Sequence, residues 1–381
     1  MRKIVSIVIL LAMVLTMTVS FAACDSAPQD RTDTTTNPES ITVAPENLEA
    51  TSNLAYTQQP NGTYSVSQGS AMESTTDIVI PATYNGIAVT KIADEAFADC
   101  ETLSSIVIPE SVTDIGNHAF DGCSALSSVV IPDSVVKIGV MAFCGCSDLT
   151  SVIIPDSVTS IGETAFWGCR SLTSITIPDS VTSIGVWPFA YCTSLTSILV
   201  DENNPSFCSI EGILYTKNAS TLICFPAGKN KITIPDGVTS IGNEAFRGCA
   251  GLISIVMPDS ITNIGEKAFY GCSGLTSIDI PDSIKSIDDK AFHDCSGLTS
   301  IDIPDSVTII GRSAFSSCSS LTSIIIPDSI TIIDIDAFYY CSSLTDLYYI
   351  GTEDEWNAIE KGNNWDSNTG SYTIHYNYVP D

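Results

Sequence analysis

Residues 172–185 read Leu-Thr-Ser-Ile-Thr-Ile-Pro-Asp-Ser-Val-Thr-Ser-Ile-Gly, and the fold follows from how this stretch is understood. Leu172, Ile175 and Ile177 keep the L-x-x-I-x-I spacing of a short strand whose first, fourth and sixth residues point inward. Pro178 has no N–H for a neighbouring strand and ends it, while Asp179 and Ser180 carry turn-forming side chains. Val181 and Ile184 make a second inward pair, and Gly185 permits another bend before Phe189. The slot before that phenylalanine is Pro188 here but a small alanine elsewhere, as at Ala165 and Ala314.

The unit recurs every 23 residues. Cysteines fall at Cys100, Cys123, Cys146, Cys169 and Cys192, then at Cys249, Cys272, Cys295, Cys318 and Cys341. Phenylalanines keep the same step, from Phe97 to Phe189 and from Phe246 to Phe338. Two residue types in one register at this period mark a solenoid. A single coil has too little core to fold alone, so like residues must stack over like. With parallel strands roughly 4.8 Å apart, about eleven coils make a body on the order of 50 Å long.

The repeat resembles the BspA-type, or Treponema-type, leucine-rich repeat of bacterial surface proteins over about Asp77 to Thr345, through its I-P-D-S, I-G and A-F-x-x-C elements. Tyr64 to Val79 with Ile80-Pro81-Ala82-Thr83-Tyr84-Asn85-Gly86 looks like that family's opening segment. Tyr348-Tyr349-Ile350-Gly351-Thr352, Glu355-Trp356 and Tyr376-Asn377-Tyr378 look like its closing segment. The expected fold is therefore a leucine-rich-repeat solenoid, α/β in class but rich in strand: a right-handed stack of about eleven 23-residue coils with a parallel sheet. The solenoid is expected over 54–345, with an N-terminal cap at 54–80 and a C-terminal cap at 346–381 covering the apolar ends.

The array is interrupted once. From Cys192 to Cys249 is 57 residues, 34 more than one period. Residues 201–231 are expected to form an inserted hairpin, with two strands around Lys217-Asn218-Ala219-Ser220. It reads either as a flap tolerated on a loop, as members of the resembled family carry, or as a side wall for a binding face.

Upstream, Arg2 and Lys3 precede an apolar run from Ile4 to Val19 and the small-residue site Phe21-Ala22-Ala23-Cys24. Residues 1–23 thus read as a signal peptide. The tetrad resembles the lipobox of bacterial lipoproteins, with Phe21 where leucine is usual, which implies acylation of Cys24; ordinary cleavage nearby is the alternative. Residues 24–53 are rich in Thr, Pro, Ser and Asn and read as a disordered tether. The expected location is the surface of a bacterial cell, bound to membrane through the lipid anchor alone.

Acidic residues number 44 against 15 basic ones, a formal charge of −29, so the field repels nucleic acid. His118, His293 and His375 lie in distant repeats, no G-x-S-x-G elbow or phosphate loop occurs, and no metal-ligand spacing is present. The reading is of a protein that is not an enzyme and uses no cofactor or metal. Asp133 and its equivalents down to Asp328 recur after the strand proline. They would cap their own turns, or as a stacked row recruit Ca²⁺. The ladder cysteines read as a reduced packing row. A Cys208–Cys224 bridge across the insert is the one disulfide expected.

The candidate ligand face is the outward fifth position of the strand: Val107, Val130, Ile153, Thr176, Leu199, Val256, Asp279, Asp302, Ile325 and Tyr348, beside a nearly constant serine row. Such a stripe marks a protein contact, or reflects only the preference of β-branched residues for strands. The resemblance implies an extracellular partner: a host matrix protein, another cell or a glycan. A structural spacer without a ligand and a polysaccharide-capturing accessory protein are the rival readings.

Overall fold

The computed structural model describes residues 49–69 and 75–380, and the chain from Leu48 to Asp381 forms one compact unit. It is a leucine-rich-repeat solenoid of about thirteen turns, two more than the sequence suggests because each cap completes a turn of its own. The signal segment, Cys24 and most of the tether lie outside the described residues. Thr51, assigned to the tether by the sequence, is already docked: its N–H donates to the Val79 carbonyl and its hydroxyl accepts from the Val79 N–H.

Nearly every turn contributes two strands. The longer carries the Ser-Ile-x segment, as in Ser105–Val107, Ser128–Val130 and Ser151–Ile153, and these pair in parallel with serine opposite serine. The shorter carries the residue pair ending in the isoleucine before the glycine, and Ile92, Ile115, Ile138, Ile161 and Ile184 face one another through successive turns. A third row runs through the phenylalanine corner, where N–H groups donate one turn onward, Phe97 to the Ala119 carbonyl and Phe120 to that of Ala142.

That corner depends on a left-handed residue two positions before each ladder phenylalanine, Glu95, His118, Met141 and Thr164 among them. Its positive φ turns the N–H toward the next coil, so that His118 donates to the Val140 carbonyl. The glycine after the short strand serves close approach: a Cβ on Gly139 would lie 2.5 Å from the Gly116 carbonyl oxygen.

Core residues stack on their own copies. The phenylalanine rings lie parallel at 5.2 to 5.8 Å from Phe97 to Phe189, and again from Phe246 to Phe338 at 4.8 to 5.4 Å. The ladder cysteines are buried and form no disulfide among themselves. The Cys123, Cys146, Cys169 and Cys192 thiols donate to the carbonyl of the preceding turn's phenylalanine at 3.0–3.2 Å. The serine of the I-P-D-S turn does the same for another carbonyl: Ser157 donates to Val135 at 2.6 Å and Ser180 to Val158 at 2.7 Å. These small polar residues recur because every turn leaves the same buried acceptors to satisfy.

The aspartates of that turn take a different role from the expected cap. The turn is closed by the main chain, Val135 N–H to Pro132 carbonyl, and Asp133, Asp156 and Asp179 stand exposed. No group of three metal-ligating side chains converges among the described residues.

The interruption is not a flap on a loop: residues 209–212 lie against the longer strand, where the Ile198 N–H donates to the Gly212 carbonyl and the Ser209 hydroxyl donates to that of Ile198. Its 34 extra residues form one enlarged turn within the stack, built from a three-stranded meander, Phe207–Ile210, Ile213–Thr216 and Thr221–Cys224, rather than a two-stranded hairpin. The last strand pairs in parallel with Ser240–Ile241, Asn204 replaces a turn serine by donating to the Val181 carbonyl, and Phe225 continues the ring ladder 4.9 Å from Phe246. The insert also divides the core: Leu214 and Cys224 pack with the N-terminal turns, Ile213, Tyr215, Leu222 and Phe225 with the C-terminal ones.

This topology removes the expected Cys208–Cys224 disulfide. The two cysteines sit on the outer strands of the meander, one opposite Tyr215 and the other opposite Leu214, which are adjacent and so face opposite ways. Two strand spacings, about 9.6 Å, exceed the reach of a disulfide.

Both ends are closed. Ala55–Gln58 and Tyr64–Ser67 form an antiparallel hairpin whose second strand pairs with Ile87–Ile92. At the other end a short helix, Glu353–Ala358, begins with a Thr352/Glu355 capping box and buries Trp356 against Tyr349 and Trp365. Trp365 meets the last ladder ring, Phe338, edge-on at 6.1 Å. Among the described residues no helix is long and apolar enough to cross a membrane.

Candidate functional site

Alternation along the longer strand turns the Ile into the core and the residue after it outward. The structure places Val130 and Ile153 on that face with 76% of their surface exposed, and Leu199 and Val256 about half exposed at 48% and 54%. Thr176, Asp279 and Asp302 are exposed beside them.

The ends of the predicted row behave differently. Val107 and Ile325 are half-buried. Tyr348 belongs to the cap: its ring lies between His375 at 4.8 Å and Tyr378 at 4.6 Å, and His375 Nε2 is 2.8 Å from an Asp346 oxygen. That bond holds the Asp346 carboxyl below its usual range. The open stripe therefore runs from Val130 to Asp302.

Three members of the face escape the sequence reading. Thr233 fills the fifth position across the insert, opposite Val256, and Lys231 stands where other turns carry serine. Ile253 widens the apolar surface next to Val256 and is 57% exposed. Lys231-Ile232-Thr233-Ile234-Pro235 has the strand pattern, but no ladder cysteine precedes it to announce a turn.

Where the stripe turns acidic, the sheet opens. Residues 277–280 adopt no strand pairing, and a shallow groove lined by Ser277, Asp279, Asp282, Ser300 and Asp302 runs between adjacent turns. Asp279 and Asp302 occupy the same position one turn apart, and like charges placed side by side weaken strand pairing.

The buried ladder cysteines and Cys144 offer no second site among the described residues. Burial pushes the thiols of Cys123, Cys144 and Cys341 up to about 12, and those of Cys272 and Cys318 well above the ordinary range, so none is an available nucleophile at neutral pH. The aromatic residues gather on the phenylalanine-corner side instead. There Arg247 lies 4.9 Å from the Trp187 ring and 4.6 Å from that of Tyr270, and His293 stacks on Tyr270 at 4.7 Å.

Repeat length, strand register and stacked corners all agree with one family model, the BspA type leucine rich repeat region, which matches residues 90–210 and 226–345 in six copies. The chain belongs to this BspA-type leucine-rich-repeat family. The part between the two matched blocks, residues 211–225, holds the last two strands of the meander that breaks the repeat. A leucine rich cell surface protein of Faecalibacterium prausnitzii A2-165 is 30% identical, with 82% of this chain and 97% of that one covered and a TM-score of 0.64. A leucine-rich repeat protein of Eubacterium ventriosum (21% identity, TM-score 0.63) and the pneumococcal vaccine antigen PcpA (23%, 0.61) share the fold. The alignments cover 87% of this BspA-type chain in both cases, and 96% and 99% of those proteins. No curated protein matches.

Proposed function

We propose that this BspA-type protein is exported, held at a membrane by an acylated Cys24, and acts at the bacterial cell surface as a binding protein rather than a catalyst. The tether lifts the solenoid from the membrane, and the longer-strand face meets an extracellular protein of the host matrix or of another cell.

The observation that carries this reading is the exposure of Val130 and Ile153 on a face whose neighbouring positions are polar. The inward residues of the same strands, Val129 and Val152, are buried where packing demands it, so these outward ones have no role in the core, and exposed contiguous apolar surface is what a protein contact uses. The cell-surface character of the Faecalibacterium relative supports the location, and the charge of −29 argues against nucleic acid and anionic lipid as partners. A glycan along this stripe is the weaker reading, because aromatic rings for sugar stacking are absent from its open part.

The test is a binding screen of the unit from Leu48 onward against matrix proteins and bacterial cells, with a Val130→Lys, Ile153→Lys, Asp279→Lys variant in parallel. Saturable binding that the variant loses is the expected result. Binding that survives the substitutions moves the ligand off this face, and no binding at all favours a spacer role.

A further inference from the structure

The residues that depart from the repeat gather at one place. Trp187 stands where most other regular turns carry a polar residue and Pro188 where they all carry alanine, and the two border the enlarged turn. Together with Ile223 and Phe225 of the insert, and with Asn243, Glu244 and Arg247 of the following turn, they wall a small depression on the solenoid. The repeat pattern is set by packing of copy on copy, so side chains that leave it without filling the ladder call for a separate explanation.

Its chemistry is mixed in a particular way. Two walls are apolar: Trp187 and Pro188 on one side, Ile223 and Phe225 on the other. Glu244 is a buried carboxylate, already paired with Arg247 at 2.6 Å and with Lys267 at 3.2 Å. Each of its oxygens has one lone pair beyond those bonds. The Asn243 side-chain oxygen accepts the Glu266 N–H at 3.1 Å, which leaves its NH₂ as donor. Arg247 Nε is buried and has no hydrogen-bond partner in the protein.

Donors and acceptors thus stand within one small, part-apolar pocket whose two charged lining residues, Glu244 and Arg247, cancel, while Lys267 behind them is shared with Glu266. An anion would meet Glu244, and a cation would meet Arg247 and Lys267. A neutral polyhydroxylated ring satisfies both demands, since each hydroxyl donates and accepts at once, and the C–H face of the ring packs on aromatic and apolar walls. We infer that this pocket, on the phenylalanine-corner side and apart from the longer-strand face, binds a single neutral sugar ring, with Asn243, Glu244 and Arg247 addressing its hydroxyls and Trp187 its apolar face.

The experiment uses the unit from Leu48 onward, labelled with 5-fluorotryptophan, with the Trp187 resonance assigned through Trp187→Phe. Methyl glycosides of glucose, galactose, mannose and N-acetylglucosamine are titrated to about 50 mM, which would saturate a millimolar site. The expected result is a saturable shift of the Trp187 signal with at least one glycoside, reduced tenfold or more in affinity by Asn243→Ala and by Arg247→Lys. Asn243 is exposed and Asn243→Ala gives up only the one bond from the Glu266 N–H, which solvent can replace, and circular dichroism of that variant checks the fold even if the Arg247 variant does not fold. No shift with any of the four overturns the inference and leaves these residues as a seal over the insert. A shift that persists undiminished in Asn243→Ala overturns it as well.

Discussion

The ring ladder permits a sharp test of where this solenoid keeps its stability. Phe292 is fully buried and stacks on Phe269 at 5.2 Å and on Phe315 at 5.3 Å, with ring planes within 2° of parallel. Truncating a core phenylalanine to alanine costs about 3–5 kcal/mol, and an aromatic pair contributes about 0.5–1.5 kcal/mol beyond the area it buries. In a double-mutant cycle of Phe292→Leu and Phe315→Leu, which keeps most of the volume, the coupling should therefore come out near 1 kcal/mol. The same cycle on Phe189 and Phe225 should show almost none, because among the described residues no ring contact bridges that step, whereas Phe225 does meet Phe246. Urea unfolding followed by circular dichroism supplies the four free energies for each cycle. Equal coupling at both steps would refute the idea that ring stacking, rather than general burial, links one turn to the next.

Gly139→Ala should destabilise by about 1–3 kcal/mol, because the new methyl must push the Gly116 backbone aside; an unchanged urea midpoint would contradict the close approach. Alkylation by iodoacetamide should leave the ladder cysteines unmodified in the native protein and label them after denaturation, since burial holds the thiols protonated, and fast native labelling of Cys146 or Cys295 would show otherwise. His293 is held below its ordinary value of 6.5 by desolvation. The unfolded chain then binds the proton more readily, so this contribution to stability is complete above about pH 6.5 and declines as the pH falls through and below that value. His293→Phe, which keeps the ring on Tyr270, should flatten that slope between about pH 8 and pH 5; a slope equal to wild type would assign it to other groups.

Within the regular turns, nearly everything was legible. A residue such as Ile175 meets its own copy one period away, Ile198, so spacing in the chain is contact in space. The inward and outward sides of the strand follow from alternation alone, which is why Val130 and Ile153 were found on the open face. At Tyr348 the same logic failed, because the cap folds His375 and Tyr378 back over it. It failed for the turn aspartates too, since the main chain already takes the N–H that a carboxylate would cap, as where Val135 donates to the Pro132 carbonyl. The Asp279 position was read correctly as outward, but the opening of the sheet around it depends on two like charges being neighbours across turns.

The amino-acid sequence by itself determined the repeat, its parallel stacking, the composition of each ladder and which strand residues point outward, because a periodic chain has only its own copies to pack against. Tertiary structure alone decided what the aperiodic residues do. Residues 201–231 contain strand-forming segments whose partners no period specifies, and folding made them an enlarged turn joining two halves of the core. That turn set Cys208 and Cys224 on opposite sides of a strand and drew Trp187, Glu244 and Arg247 from separate turns into one pocket. Their meeting depends on the length and path of a single irregular turn, a quantity that local propensity and spacing do not encode.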